Sequence, residues 1–285
     1  MIPFEQYDIG EHRLRCPACG DKPSKKDLGL TVRDDGSAVA RCFRCDFCQT
    51  FKPERGAHVA KPSAPLIQGR QQAPQHEVLS DYGHGIWNAC KPLKGTIAEV
   101  YLMSRQCMIP SAEGHLRFHP ALKHPDPLAK YVGPCMVGLI TDAVTGTPLS
   151  LHRTWVTPTG KADVDPPRAL LGNHRKQRGV IRLTPDDEVT TTLAIAEGIE
   201  TALSVALAGL PVWACIDAGN LSNLPVLDGI ESLVIGADND KVGRAAAAWC
   251  GNRWVQADRE VRVMTPKIDG FDWNDVINKT ATEAA

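Results

Sequence analysis

The chain has 285 residues, 43% hydrophobic and 23% charged, with a formal net charge of −1. That composition buries a core and suits about two domains, and it excludes a uniformly basic nucleic-acid coat. No run of about 18 apolar residues could span a membrane, and Met1 to Gly10 lack the basic-then-apolar pattern of an export signal.

Three regions follow one another. Residues 11–50 are short, polar and rich in cysteine. Within them Leu28–Arg33 and Ser37–Phe43 read as two strands joined by an Asp34-Asp35-Gly36 turn. Residues 51–75, rich in Pro, Gln, Ala and Gly, read as a linker. From residue 76 the pattern is globular to the end, with a subdivision near 184–188. His76–Cys90 and Thr96–Gln106 have helical spacing. Leu116–Phe118, Met136–Thr141 and Leu149–Val156 read as strands, the last two flanking a hairpin loop over Asp142–Pro148. Beyond Pro185, strands at Thr191–Ala196, Val212–Ile216, Leu233–Ala237 and Glu260–Met264 alternate with helices at Gly198–Ala208 and Val242–Val255. That alternation predicts a mainly parallel α/β sheet, whose ligand groups belong at the carboxyl ends of the strands.

The near-zero total charge hides a polarity. Residues 1–70 carry a net +3, residues 150–184 a net +5 and residues 185–285 a net −9. A carboxylate-rich unit directly after a basic one suits a divalent-metal site facing a nucleic-acid path; an acidic surface that serves solubility alone is the plainer alternative.

Of the ten cysteines, Cys16, Cys19, Cys42 and Cys45 form two CxxC pairs separated by 22 residues. Two residues between cysteines let both thiolates of a turn converge on one tetrahedral zinc, and a hairpin between the pairs delivers the second pair to the same ion. Cysteine usage of this kind fits a reducing cytoplasm better than a disulfide framework. Cys45 and Cys48 are also spaced as CxxC, so one of Cys42, Cys45 and Cys48 is surplus; Cys42 and Cys45, directly after a strand, are the expected ligands. Arg13, Arg15, Lys22, Lys25, Lys26, Arg33, Arg41 and Arg44 surround the pairs, with Phe43 and Phe47 among them. Basic groups with interleaved aromatics suit single-stranded nucleic acid; the alternative is that the two rings pack a small core around the metal.

Glu197 directly follows one expected buried strand, and Asp238-Asn239-Asp240 follows another. Adjacent strands would bring these acids together, and the two aspartates of an extended DxD share one face, a donor set suited to magnesium. Either Glu197 or Asp240 could instead cap its own helix. Gly198 and Gly243 open the following helices and leave room for phosphate.

LAIAEGIETALSVA followed by LVIGADNDKVGRAAA resembles the Toprim fold shared by bacterial-type primases, topoisomerases and some nucleases. With the cysteine ribbon in front, the whole is similar to the primases of phages and plasmids, in particular the primase half of phage primase-helicases. LRFHP, GLITD, LHRTWVTPTGKA and RALLG resemble the basic segment that precedes Toprim there. The resemblance implies a zinc ribbon over 11–50, the linker, an α+β basic subdomain over 76–184 and a Rossmann-like Toprim subdomain over 185–285. It implies Glu197 as acid/base glutamate, Asp238 and Asp240 as metal ligands, and Asp272 and Asp275 of the Asp269–Asp275 segment as further ligands. Arg153, Lys161, Arg168, Arg175, Lys176 and Arg182 become the expected contacts to template or triphosphate. One departure stands out: many cellular primases carry an aspartate four residues after the glutamate, where this chain has Thr201, with Glu200 one residue earlier.

The implied activity is synthesis of short RNA primers on single-stranded DNA from ribonucleoside triphosphates, with structural Zn²⁺ and catalytic Mg²⁺ or Mn²⁺, in phage or plasmid replication in the cytoplasm of a bacterial host. A Toprim nuclease and a non-catalytic DNA-binding accessory are the alternatives. No GxxxxGK[ST] motif is present, so a replicative helicase is expected as a separate partner or a missing C-terminal part; no membrane is expected.

Overall fold

The computed structural model describes residues 2–19, 28–33, 36–42, 45, 47–52 and 76–284. Most of the expected linker, residues 53–75, lies outside these, as do Asp34-Asp35 of the expected turn, Lys22, Lys25, Lys26, Phe43 and Arg44. The chain divides into two compact units, Met1–Gln71 and Gln72–Ala285. Among the described residues no helix is long and apolar enough to cross a membrane.

The first unit is a four-stranded antiparallel sheet in sequence order: β1 (Gly10–Leu14), β2 (Leu28–Val32), β3 (Ala38–Cys42) and β4 (Cys48–Phe51). Leu28, Leu30, Ala38 and Ala40 alternate inward from the two central strands and meet Ile2 and Phe4. Phe47 and Phe51 pack against the same cluster, so Phe47 serves the small core. The two edge strands escape sequence reading because both are half exposed and weakly apolar. Phe51, expected to begin the linker, ends β4.

The second unit opens with α1 (Asp81–Asn88) and α2 (Ile97–Ser104), then β5 (Leu116–Lys123), β6 (Val132–Asp142), β7 (Pro148–Thr157), β8 (Gly160–Lys161), β9 (Arg168–Leu170) and β10 (Gly179–Arg182). A βαβ series completes it: β11 (Thr192–Ala196), α3 (Ile199–Val205), β12 (Val212–Ala214), α4 (Ala218–Ser222), β13 (Ser232–Gly236), α5 (Lys241–Val255), β14 (Glu260–Met264) and α6 (Trp273–Ala284). All ten strands join one sheet, with the path β14-β13-β11-β12-β10-β6-β7-β8. The four strands from β11 to β14 pair in parallel. β10 pairs antiparallel with both β12 and β6, so this buried strand, absent from the sequence reading, splices the two halves into one sheet. The expected 184/185 boundary falls just after it.

The parallel strands are buried on both faces, as near-continuous apolar runs require. Ala194, Ala196 and Val234 face α2 and α3, whereas Leu193, Ile195, Leu233 and Ile235 face Ala246, Cys250 and Trp254 of α5. Burying a large side chain such as Trp254 contributes about 1.5–3 kcal/mol. From β11 the chain crosses outward to β12, then returns to β13 on the other side of β11. The strand order therefore reverses between β11 and β13, the crevice where open α/β sheets bind ligands.

Candidate active site and metal centre

The ligand atoms of Cys16, Cys19, Cys42 and Cys45 lie within 4.8 Å of one another. Cys16 Sγ is 3.6 Å from Cys45 Sγ, and Cys19 Sγ is 3.6 Å from Cys42 Sγ. Four sulfurs at about 2.3 Å from one tetrahedral zinc would stand about 3.8 Å apart, so the cluster fits that ion. Cys48 is exposed and outside the cluster. Hydrogen bonding to Cys45 and Cys42 pushes the Cys19 thiol far above the ordinary range; a bound cation would reverse that preference. On one face of the sheet Arg13 and Arg41 stand on either side of Gly29 in register, both exposed, along a groove that also includes Thr31 and Val39.

In the second unit, Ala196 is level with Gly236 on β13 and with Ala214 on β12. Glu197, Asp238 and Asp217 therefore leave the sheet at the same end, on either side of the reversal point. They line a cleft of about 430 Å³ together with Asp272, Glu200, Thr201, Arg105, His152, Lys161 and Arg168. Asp272 is brought there by the middle residue of the DxD turn: Asn239 N–H donates to Phe271 O at 2.9 Å, and Gly270 N–H donates to Asn239 O at 2.7 Å.

Residues 192–283 match the family model described as "Toprim domain". The C-terminal part of the chain carries a Toprim domain. Residues 79–183 match a second model, described as a domain of unknown function, DUF7146. No match was found among curated proteins. Among solved structures the chain is similar to the primase fragment of the bacteriophage T7 primase-helicase, at 17% identity and TM-score 0.47, covering 96% of this chain and 97% of that one. It is similar to the zinc-binding and RNA polymerase domains of the Aquifex aeolicus primase, at 13% identity and TM-score 0.46, covering 96% and 77%. A DNA primase domain from Pseudomonas aeruginosa matches at 16% identity and TM-score 0.44, covering 72% and 76%.

The acids of the Toprim domain differ in how they are occupied. Asp240 caps α5, its Oδ1 accepting from Gly243 N–H at 2.7 Å. Glu197 does not cap its own helix, because Gly198 holds the cap position of α3; its carboxyl accepts instead from Ala218 N–H at the start of α4. Of the two capping alternatives, only that for Asp240 is realised, and it leaves one oxygen. Asp272 and Asp275 accept each other's backbone N–H, at 2.8 and 3.3 Å, at the start of α6, a reciprocal capping box. Asp238 Oδ1 is buried with no hydrogen-bond partner.

Burial, then Asp240 and Asp217, push the Glu197 carboxyl up to about 7, with Arg168 opposing. Burial, then Glu197 and Asp272, push Asp238 up to about 7. An all-oxygen donor set, an orphaned buried oxygen and mutual repulsion together fit a hard divalent cation. Among the described residues no three carboxylates approach as closely as the four thiols do.

The expected basic contacts separate into three groups. Lys161 and Arg168 line the cleft. Lys176 pairs with Asp217 at 2.7 Å, and Arg175 reaches Glu77 and Asp142, both at 3.4 Å. Arg153 and Arg182, by contrast, are buried and do not line the cleft. Arg153 Nη2 donates to Leu170 O at 2.6 Å. Arg182 pairs with Asp186, donates to Thr141, Asp142 and Ala143, and stacks 4.4 Å from the Trp213 ring. Both hold the sheet together.

Four cleft residues were not singled out from sequence. Asp217 follows a predicted strand, and the strand-end rule would have found it. Glu200 gave a partial signal beside the missing aspartate. Arg105 and His152 gave none. Burial holds His152 down to about 4, with Glu200 opposing. The Arg105 carbonyl accepts from Asn274 and Asn278 of α6, at 2.8 and 3.0 Å.

Proposed function

We propose that the chain is a DNA primase that makes short RNA primers on single-stranded DNA by divalent-metal-dependent nucleotidyl transfer. The observation that carries this reading is the single cleft in which Glu197, Asp238 and Asp272 of a Toprim domain face Lys161, Arg168 and Arg105. One wall suits a divalent cation, the other a triphosphate and a nucleic-acid backbone.

Glu197, Asp238 and Asp272 would hold Mg²⁺ or Mn²⁺, joined by the spare oxygens of Asp240 and Asp275. When bound, the ion neutralises charge on the triphosphate during in-line displacement. Lys161 and Arg168 bind the phosphates, and Arg105 orients them from the α2 side. Glu197 would act in one of two roles: as a further ligand of the cation or, left off it with its carboxyl near neutral pH, as the group that accepts the proton of the attacking 3′-hydroxyl. The 3′-oxygen forms a bond to the α-phosphorus as the bond to pyrophosphate breaks, and the hydroxyl proton passes to solvent, through Glu197 in its second role. Thr201 supplies no second carboxylate at the family position, and Asp217 lies on the same wall.

In the first unit, Cys16, Cys19, Cys42 and Cys45 would hold structural zinc, and the face bearing Arg13 and Arg41 would contact template. The wider setting consistent with this activity is phage or plasmid replication in a bacterial cytoplasm, with a replicative helicase.

The test is incubation with single-stranded DNA, four labelled ribonucleotides and Mg²⁺ or Mn²⁺. Template-dependent oligoribonucleotides are expected, lost by about a thousandfold or more in Asp238→Ala, which retains DNA binding. Cleaved DNA without new oligomers would replace the primase reading with a nuclease; neither product would favour a non-catalytic accessory.

A further inference from the structure

We propose that Glu200 is a positioning residue that holds the Lys161 ammonium over the cleft to receive a nucleoside triphosphate. The inference rests on the cleft being a triphosphate site. Lys161 lies on β8, just after the Pro158-Thr159 turn that joins it to β7, at the end of the sheet path remote from the parallel strands. Its ammonium nevertheless meets α3 of the Toprim domain: Lys161 Nζ is 3.0 Å from Glu200 Oε1. The same oxygen accepts the Tyr101 hydroxyl of α2 at 2.7 Å. Three elements from distant parts of the unit thus converge on one carboxylate oxygen.

Glu200 is 7% exposed. Burial opposes its ionisation, but Lys161 and Tyr101 outweigh that and hold it down to about 2. A fixed buried anion in the same cleft as Glu197 and Asp238 is a poor stability device, since an apolar pair of similar volume often serves as well. It is a good electrostatic anchor. The lysine side chain remains 32% exposed on the cleft side, so the ammonium keeps donors for a second anion. Without Glu200, a flexible lysine would be drawn toward the carboxylates that bind the cation.

The test is a double-mutant cycle on the full chain with Glu200→Gln, Lys161→Met and the double variant. ATP binding is measured by calorimetry with Ca²⁺ in place of Mg²⁺, and primer synthesis in parallel. Each single variant is expected to weaken ATP binding and raise KM by about tenfold, the scale of one charge-assisted hydrogen bond, with kcat changed far less. The double variant should be no worse than Lys161→Met, because Glu200 acts through the lysine. Additive losses, an unchanged Lys161→Met, or no ATP binding by the parent would overturn the proposal. Lys161→Met, on an exposed hairpin, keeps the test valid if Glu200→Gln does not fold. Coupled loss of ATP binding in a protein that makes no primers would uphold this inference and defeat the primase reading. Primer synthesis with indifferent variants would do the reverse.

Discussion

The four thiols of the first unit and the carboxylates of the Toprim domain are both sets of groups that repel one another as anions, but the chain gathers them differently. The thiols come in two CxxC pairs that follow β1 and end β3 of a small sheet, and their sulfurs close to within 4.8 Å. The acids come from the ends of three parallel strands and from the loop before α6, and they stay further apart around a cleft. The first arrangement suits the enclosure of a structural metal. The second leaves room for a ligand and keeps two carboxyls near neutral pKa, the balance that proton transfer at neutral pH needs.

The contrast is broken most strongly at the thiols. Cys16→Ser, or chelation at neutral pH, should remove one zinc per chain and unfold the first unit, because structural zinc contributes about 10–16 kcal/mol in small domains. Limited proteolysis should then cleave residues 1–71 while the second unit stays resistant. A first unit that keeps its protection without metal would refute the structural role.

Gly243→Ala should strike the cleft without touching a carboxylate. An added Cβ would lie 2.6 Å from the Asp238 carbonyl oxygen and 3.0 Å from Asp238 Cβ, so helix and DxD turn must move apart. The cost is about 1–3 kcal/mol of stability, with synthesis lowered roughly a hundredfold by misplacement of Asp238. Full activity with unchanged melting would show that the turn tolerates the shift.

The smallest effect concerns stability alone. The folded-state value of Asp238, about 7, lies above the usual unfolded value near 3.9. The folded protein therefore binds the extra proton between these values, and this carboxylate costs stability as pH rises through that window. Without divalent cations, Asp238→Asn should be more stable than the parent at pH 8 by roughly 1–2 kcal/mol after solvent screening, with the gain vanishing near pH 4. Melting curves at both pH values would decide it; a gain that grows toward acid would contradict the sign.

The sequence made the candidate cation-binding groups legible and their neighbours obscure. Glu197 and Asp238 stood out because a buried strand directly precedes each, and the cysteines because spacing alone places thiolates on one ion. Arg153 and Arg182 looked like surface charges, yet each buries its guanidinium on backbone carbonyls. β10 was hidden because its four residues follow the charged run Arg175–Arg178, and a strand so short carries little periodicity.

The amino-acid sequence by itself determined the local facts: which residues alternate into strands, which acids follow them, and which cysteines converge across a hairpin. These depend on spacings of a few residues. Only the tertiary structure decided that β10 would splice the two halves, and that Lys161 would cross to Glu200 and Tyr101. Those pairings join residues 31 to 99 positions apart, and burial within one continuous sheet selects them, a constraint that no short window of sequence contains.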